Sequence, residues 1–215
     1  KLREMAYNFN VDNFESQDLN ILADHITADG IEQIAYCQDP DSILYARLTG
    51  GGLVSMTYMR DQDVLGWSNV VTSGDIEAMA CIFGSTDSRT EFWCQTARVI
   101  DGETRRFIEF MEGPHEGDAT ADAFFVDAGV SYSGAATDIV TGADHLAGAT
   151  VQVLVDGAVH PDCVVAHDGT VQLDYEGTQI HVGLAYESRM RTMRIESGSD
   201  RGTSQGKRKV VTSLN

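Results

Sequence analysis

Basic residues, prolines and long apolar runs are scarce in this chain. Its 15 Lys and Arg stand against 33 Asp and Glu, so the formal net charge is −18 and the chain repels nucleic acid in general. No run approaches the roughly 18–20 apolar residues that a membrane-spanning helix needs, so we expect no membrane segment. Proline occurs three times, whereas many of the 21 glycines stand in short turns between apolar runs, a pattern typical of an all-β protein.

The four cysteines lack the close-pair spacing, such as C-x2-C, that is typical of a zinc site. Cys37 and Cys81 fall at equivalent positions of two similar apolar runs. A disulfide stays open as an alternative, but the spacing does not indicate one. We therefore expect Cys37, Cys81, Cys94 and Cys163 to be free, mostly buried thiols in a chain that folds in a reducing cytosol.

The sequence singles out no catalytic constellation. It has no H-E-x-x-H motif and no Walker loop. Cys163 lies close in sequence to His160, Asp162 and His167, which could form a zinc site or a Cys–His pair, but strand alternation sends Cys163 inward while His167 enters an Asp-Gly turn. Abundant carboxylates permit a two-carboxylate glycosidase without selecting a pair. We therefore predict no enzyme and no catalytic, cofactor-binding or metal-binding residues.

The most informative feature is an internal repeat of about 45 residues. Ile31–Cys37 and Ile76–Cys81 both begin with the pattern I-E-x-x-A. In each unit two further alternating runs follow: Ile43–Leu48 and Leu53–Tyr58 in the first, Glu91–Ala97 and Thr104–Met111 in the second. Several short strands in units of about 40–50 residues are typical of β-propeller blades, and two units cannot close a propeller. The fold class predicted is mostly β, with incomplete propeller-like blades in which Trp67 is a large packing residue.

The rest of the chain divides around these units. Asp18–Ile26 carries apolar residues near helical spacing, so we predict a short helix that Asp18 caps and that ends before Gly30. Five or six short strands with Asp-Gly turns predict an inserted small β-barrel or sandwich. The predicted parts are a lead-in at 1–30, two blade-like units at 31–115, a small acidic β-barrel domain at 120–186, and a basic segment returning to the propeller-like part at 189–215.

Charge is strongly segregated along the second half of the chain. Between Phe107 and Ser188 there is no Lys or Arg, whereas fourteen acids occur. Residues 189–209 reverse this, with Arg189, Arg191, Arg194, Arg201, Lys207, Arg208 and Lys209. Such segregation indicates a use in assembly or a field presented to a charged partner. The alternative is a solubilising acidic surface beside a basic strand that pairs within the fold.

Several short motifs, taken in order, resemble those of one protein family. They are Arg3–Tyr7, Asp18–His25, Leu53–Tyr58, Val64–Trp67, Arg106–Glu109, Asp122–Gly129, Thr141–Gly148, His181–Tyr186 and Gly202–Lys209. The set covers most of the chain and resembles the tail nozzle (tail tubular or stabilisation) proteins of short-tailed bacteriophages and related prophages. The resemblance implies propeller-containing subunits that form a ring at the distal end of the tail, through which the genome leaves. It brings no catalytic motif.

The resemblance also implies that this chain is an internal portion of a longer protein. Lys1 is not an initiator Met, and Lys209–Asn215 has the pattern of a strand without its partner, so we expect a fragment or a processed chain. The expected location is the virion, after assembly in the bacterial host cytoplasm. The expected partners are other tail subunits and, in the full-length protein, further copies in a homo-oligomeric ring.

The expected function is structural, as part of a nozzle past which DNA slides. An acidic wall would avoid the grip that basic contacts to phosphates create, so DNA would pass without specific binding. The alternative, from another class, is a carbohydrate-binding or polysaccharide-degrading β module of a phage tail or bacterial surface. Neither function calls for a cofactor.

Overall fold

The computed structural model describes residues 1–84 and 89–191 and consists almost entirely of antiparallel strands. Strands make up 58% of the described residues, which confirms the mostly-β class. The helical elements in these ranges are three short 3-10 turns, at Arg60–Gln62, Thr120–Asp122 and Asp144–Leu146. No helix in the described part of the chain is long and apolar enough to cross a membrane. Most of the predicted basic segment, from residue 192 onward, lies outside the described residues.

The chain opens with a hairpin of β1 (Arg3–Asn8) and β2 (Asn13–Asp18), followed by turns instead of the helix predicted at Asp18–Ile26. That prediction is wrong because Asn20 engages the backbone and side chains of other segments. Its Oδ1 accepts a hydrogen bond from the Leu2 N–H (3.2 Å), and its Nδ2 donates to Thr27 Oγ1 (2.6 Å). Asparagine bonds of this kind compete with helix formation.

Two antiparallel meanders follow, and they match the two repeat units. Sheet 1 has the order β3-β4-β5-β6 and sheet 2 the order β7-β8-β9. The strands of sheet 1 are β3 (Ile31–Cys37), β4 (Ile43–Leu48), β5 (Leu53–Met59) and β6 (Val64–Val70). Those of sheet 2 are β7 (Gly74–Phe83), β8 (Thr90–Ile100) and β9 (Glu103–Phe110).

The repeat extends to a backbone irregularity. The register shifts between Ile31 and Gln33 in β3, and between Ile76 and Ala78 in β7, so each first strand bulges at the glutamate of its I-E-x-x-A pattern. Because a bulge re-aims the residues around it, both first strands turn in the same way at the same point. β3, β4 and β5 therefore correspond to β7, β8 and β9, whereas β6 has no counterpart in sheet 2 among the described residues.

The two sheets share an apolar core. Tyr45 and Leu53 from sheet 1 meet Ile76, Met79 and Phe92 from sheet 2, and the rings of Tyr45 and Phe92 lie 4.2 Å apart. The chain can form this core because alternate residues of a strand point to opposite faces.

The other face of sheet 1 carries a second, smaller core. Ala46 and Val54 are buried there beside Trp67, whose indole N–H donates to the Leu19 carbonyl (2.9 Å). The N-terminal segment thereby covers this face. Trp67 is a packing residue, as predicted.

The first strands of the two sheets are joined side to side. Cys37 and Cys81 form a disulfide with a Cα–Cα distance of 5.5 Å, so the prediction of four free thiols is wrong for this pair. Four residues before Cys37 on β3, the Gln33 side chain donates to the Met79 carbonyl (2.7 Å) and accepts from the Met79 N–H (3.2 Å). Equivalent cysteines meet because the repeats place their equivalent edge strands next to each other, which spacing along the chain does not reveal. Cys94 and Cys163 are free.

The last four strands form the C-terminal sheet, in the order β10-β13-β11-β12. They are β10 (Asp127–Val140), β11 (Thr150–Val155), β12 (Ala158–Val164) and β13 (Val171–Leu184). The barrel predicted at 120–186 is wrong, because β10 and β12 are edges that do not pair with each other. Register shifts along β10 and β13 bend the long pair instead. Both ends of the pair contribute to one core, with Val140 and Val171 at one end and Val182 at the other.

The C-terminal sheet shares its core with sheet 2. Ile100, at the end of β8, is buried within that core, and Phe107 of β9 packs against it. Gly183 on β13 allows the start of β10 to lie close beside it. A Cβ at position 183 would lie 2.8 Å from both the Asp127 carbonyl oxygen and Gly129 Cα.

We expect Gly183→Ala to destabilise the fold, because the added methyl group must push the start of β10 away from β13. An overpacked site of this kind costs about 1–3 kcal/mol in the free energy of unfolding. The measurement is urea unfolding followed by tryptophan fluorescence. The matched control is Gly66→Ala on β6, where an added Cβ meets no atom within 4 Å, and we expect a change below about 0.5 kcal/mol. Equal effects of the two substitutions would contradict this packing.

Candidate functional site

A cleft of about 1510 Å³ opens where sheets 1 and 2 diverge. The sheets are joined at β3 and β7, and the inter-sheet cleft lies at the opposite side, lined by residues 67–72 of β6 and its continuation and by residues 107–112 of β9 and its continuation. The start of β10 and residues 186–191 complete the wall. A cleft of this size, with apolar and charged side chains in its walls, is the first candidate for a functional site.

A buried arginine occupies the wall of the inter-sheet cleft. Arg98 is 1% exposed, and all five of its N–H groups donate hydrogen bonds. Two go to the Glu109 carboxylate (2.8 and 2.7 Å), two to the Asp127 carboxylate (2.8 and 2.9 Å) and one to Ser73 Oγ (2.8 Å). Charge-assisted hydrogen bonds of this kind are roughly twice as strong as those between neutral groups. They tie β8 and β9 to the first residue of β10.

The contacts of this network favour the charged forms of Arg98 and Asp127. Burial alone would raise the pKa of Asp127, but hydrogen bonds from Arg98, from Thr72 Oγ1 (2.6 Å) and from the Ser73 N–H outweigh it and hold that pKa below its usual value. Burial alone would lower the pKa of Arg98, but the two carboxylates raise it. A glycosidase needs one carboxyl group whose pKa is raised so that it can donate a proton. Asp127 is shifted in the opposite direction, so it is suited to clamping the sheets together.

A serine–histidine pair that the sequence did not indicate lines the same cleft. His181 is buried, and its Nε2 lies 2.9 Å from the Ala121 carbonyl oxygen. Since a carbonyl can only accept, Nε2 donates, and Nδ1 accepts from the Ser131 hydroxyl (2.7 Å). The Ser-His-Asp triad has a carboxylate where this pair has a carbonyl, and a carboxylate stabilises the imidazolium more strongly than a neutral carbonyl does. The arrangement joins the Thr120–Asp122 turn to β13 and β10.

Of the side chains that lie near Cys163 in the sequence, the structure brings His160 close to the thiol but not His167. His160 is buried, its Nδ1 donates to the Pro161 carbonyl (2.7 Å) and its Nε2 accepts from the Asp174 N–H (2.9 Å). Cys163 Sγ lies 3.6 Å from His160 Nδ1, whereas His167 is exposed. Burial, followed by the nearby Asp174 and Asp162, raises the pKa of Cys163, which opposes the thiolate that catalysis or zinc requires. In residues 1–84 and 89–191 no three His, Cys, Asp or Glu side chains are grouped to hold a metal ion.

One serine-hydrolase pattern occurs in the sequence outside the described residues. Gly202-Thr-Ser-Gln-Gly206 fits G-x-S-x-G, whose serine acts only when an apolar strand precedes the turn and a helix follows it. The residues before it, Glu196-Ser-Gly-Ser-Asp-Arg201, are polar and carry no strand pattern. The match is therefore weak evidence for a hydrolase.

The C-terminal sheet and its turns carry a set of six exposed carboxylates. We call it the acidic surface, and its members are Asp144, Asp156, Asp162, Asp168, Asp174 and Glu176. None of the six forms an ion pair with another described residue. Hydrogen bonds from the Gln179 N–H and from Thr178 lower the pKa of Asp156, and those from Thr170 lower the pKa of Asp168. Both shifts favour the charged form of Asp156 and Asp168.

No protein-family model matches the chain, and no curated protein matches it.

Proposed function

We propose that this chain is a non-enzymatic structural subunit of a bacteriophage or prophage tail, and that it forms part of the nozzle ring through which DNA is ejected. The motif order described above supports the family, and the pair of blade-like meanders supports a propeller-related architecture. The observation that carries the proposal is the acidic surface, whose six carboxylates are exposed and without ion pairs among the described residues.

In this proposal the acidic surface lowers the friction on DNA that passes it. A basic wall would hold DNA, because each Lys or Arg that neutralises a phosphate releases counterions and strengthens binding. A wall of unpaired carboxylates repels the same phosphates and lets the duplex slide. In this proposal the acidic surface faces the lumen of an assembled ring, and other tail subunits and further copies of the chain are its protein partners.

Charge reversal on the acidic surface is expected to create DNA binding. The variant Asp162→Lys/Asp174→Lys/Glu176→Lys changes three side chains that make no side-chain hydrogen bond with another described residue. We expect its affinity for a 20-base-pair duplex at about 20 mM salt to exceed that of the parent at least tenfold and to fall steeply with added salt. Fluorescence polarisation of a labelled duplex measures this.

The control reverses the same number of charges elsewhere. Asp29, Asp41 and Asp61 are exposed and lie outside the C-terminal sheet, so their change to Lys gives the same net charge without altering the acidic surface. We expect this control to bind DNA as poorly as the parent. Equal gains in the two variants would show that net charge alone excludes DNA and would remove the support from the acidic surface.

The alternative is a carbohydrate-binding or polysaccharide-degrading module. Aromatic side chains in the inter-sheet cleft favour it, since Trp67, Phe110 and Tyr186 line a space large enough for several sugar rings. A glycan array and a hydrolysis assay on host polysaccharide separate the two functions. The nozzle proposal predicts no turnover, and turnover that is lost when one carboxylate pair is replaced would overturn it.

A further inference from the structure

The sequence contains four Asp-Gly pairs, at 29–30, 101–102, 156–157 and 168–169, and no Asn-Gly pair. In an Asp-Gly pair the main-chain nitrogen of the glycine can attack the carboxyl group of the aspartate, because glycine has no Cβ to block the approach. The reaction needs a carboxyl group and an N–H group that are both free to meet. The four pairs can therefore be compared by the hydrogen bonds that hold these two groups.

Hydrogen bonds hold one of the two reacting groups in the first and the third pair. The Gly30 N–H donates to the Thr27 carbonyl (3.1 Å). The Asp156 carboxylate accepts from the Thr178 N–H (3.1 Å), the Thr178 hydroxyl (2.8 Å) and the Gln179 N–H (2.8 Å). In each pair the held group is turned away from its reaction partner.

Both reacting groups are held in the fourth pair. The Asp168 carboxylate accepts from the N–H and the hydroxyl of Thr170, at 3.1 and 2.7 Å. The Gly169 N–H donates to the Ala166 carbonyl (3.0 Å). Short-range bonds from an aspartate to the residues that follow it are a common way of fixing a turn. Here they also keep the carboxyl group from the glycine nitrogen.

The second pair, Asp101-Gly102, lacks such bonds. It is the two-residue turn between β8 and β9, closed by the pairing of Ile100 with Glu103, and both of its residues are exposed. Within residues 1–84 and 89–191, neither the Asp101 side chain nor the Gly102 N–H makes a hydrogen bond. This is the one Asp-Gly pair of the described chain in which both reacting groups are free.

We propose that Asp101 is a modification site at which the chain converts spontaneously to isoaspartate. The Gly102 nitrogen forms a bond to Asp101 Cγ while the Cγ–OH bond breaks, and the amide proton and the hydroxyl group leave as water. Water then adds to the main-chain carbonyl carbon of the five-membered ring, so that the opened chain continues through Cβ and Cγ. The composition is unchanged, but the main chain is one carbon longer.

The longer main chain falls at a joint of the fold. Ile100, directly before the turn, is buried in the core that sheet 2 shares with the C-terminal sheet. The Asp101 side chain lies against the segment before β11, since a Cβ at Gly148 would be 3.1 Å from Asp101 Cγ. An extra carbon here disturbs the pairing of Ile100 with Glu103, so we expect the isoaspartate form to unfold at lower urea than the parent. The inference rests on this turn and not on the tail function, so the two can fail separately.

Ageing the full chain for several weeks tests this site. Trypsin releases the turn in the peptide Val99–Arg105, and chymotrypsin releases the other three pairs. Electron-transfer fragmentation of the peptides locates isoaspartate, and isoaspartyl methyltransferase with a labelled methyl donor measures its amount. At pH 7 and about 37 °C we expect conversion at 101 to exceed that at each other pair at least fivefold, because local hydrogen bonds protect those pairs.

Two controls use the same chemistry. In urea with the disulfide reduced, the protecting hydrogen bonds are gone, so all four pairs should convert at similar rates. The variant Asp101→Glu keeps the charge but would need a six-membered ring, so conversion at this turn should stop. Equal conversion at 101 and at the other pairs of the folded chain would overturn the proposal. So would a turn that stays unconverted in the folded chain while the unfolded chain reacts.

Discussion

Replacing Arg98 by methionine is expected to lower the free energy of unfolding by about 3–5 kcal/mol, the usual cost of removing one partner from a buried ion pair. Methionine fills much of the same space but leaves Glu109 and Asp127 facing each other without the guanidinium that both now bind. Arg98 is also the largest fully buried side chain in the described residues. The loss therefore combines uncompensated charge with five missing hydrogen bonds.

Urea unfolding with matched variants separates this effect from the loss of any arginine. Arg106 pairs with Glu77 on the exposed face of sheet 2, so Arg106→Met should cost less than about 1 kcal/mol. The triple variant Arg98→Met/Glu109→Gln/Asp127→Asn, which removes the stranded charges too, should recover part of the loss. Similar small effects of Arg98→Met and Arg106→Met would contradict the clamp.

The clamp also has a pH signature. The pKa of Asp127 is lower in the folded chain than its ordinary value of 3.8, so the stability it contributes is present above that value and is lost as pH falls through the folded pKa. Without Arg98 the main cause of this lowered pKa is gone. We therefore expect the difference in unfolding free energy between the parent and Arg98→Met to shrink below pH 4, as measured by urea unfolding across pH 2–7. If the difference in unfolding free energy stayed constant across this pH range, the ion pair between Arg98 and Asp127 would not be the source of the stability.

Reduction of the Cys37–Cys81 disulfide is expected to cost about 4 kcal/mol. The bond closes a loop with a sequence separation of 44, and the loss of loop-closure entropy from the unfolded chain gives that value. It is also the covalent joint between sheets 1 and 2. Thermal unfolding with and without dithiothreitol measures the effect, which should appear as a large drop in Tm under reducing conditions.

Cysteine variants identify the bond responsible. Cys37→Ser/Cys81→Ser should be about as unstable as the reduced parent and should no longer respond to dithiothreitol. Cys163→Ser leaves the disulfide intact and should keep the full response, because Cys163 is a free thiol on the C-terminal sheet. Failure of the parent to respond to dithiothreitol would contradict the joint.

Local patterns in the sequence predicted most of the strands and none of the joints between sheets. Alternation and Asp-Gly turns are properties of neighbouring residues, so the two meanders and their repeat could be derived. The disulfide could not, because it depends on which edges of two separate sheets adjoin. The helix predicted at Asp18–Ile26 was wrong because Asn20 bonds to Leu2 and Thr27, and the barrel was wrong because closure requires β10 and β12 to pair.

The candidate site was missed for a related reason. Arg98 stands eleven residues from Glu109 and 29 from Asp127, and no motif marks that spacing. Ser131 and His181 are separated by 50 residues and lie on strands whose pairing is itself long-range. One signal in the sequence could have indicated this site: Arg98 stands beside the apolar residues Ala97, Val99 and Ile100 in a predicted strand. A cation that points inward from such a strand needs acidic partners in the interior.

The most direct test of the proposed function is where the protein sits in a phage particle. Antibodies against the purified chain, carried on gold, would be applied to particles released by the strain that encodes it and viewed by negative-stain electron microscopy. Antibodies against the capsid protein of the same particles give the reference label on the heads. The tail-nozzle proposal predicts gold at the distal end of the tail, and particles without label there, with the protein found free of them, would contradict it.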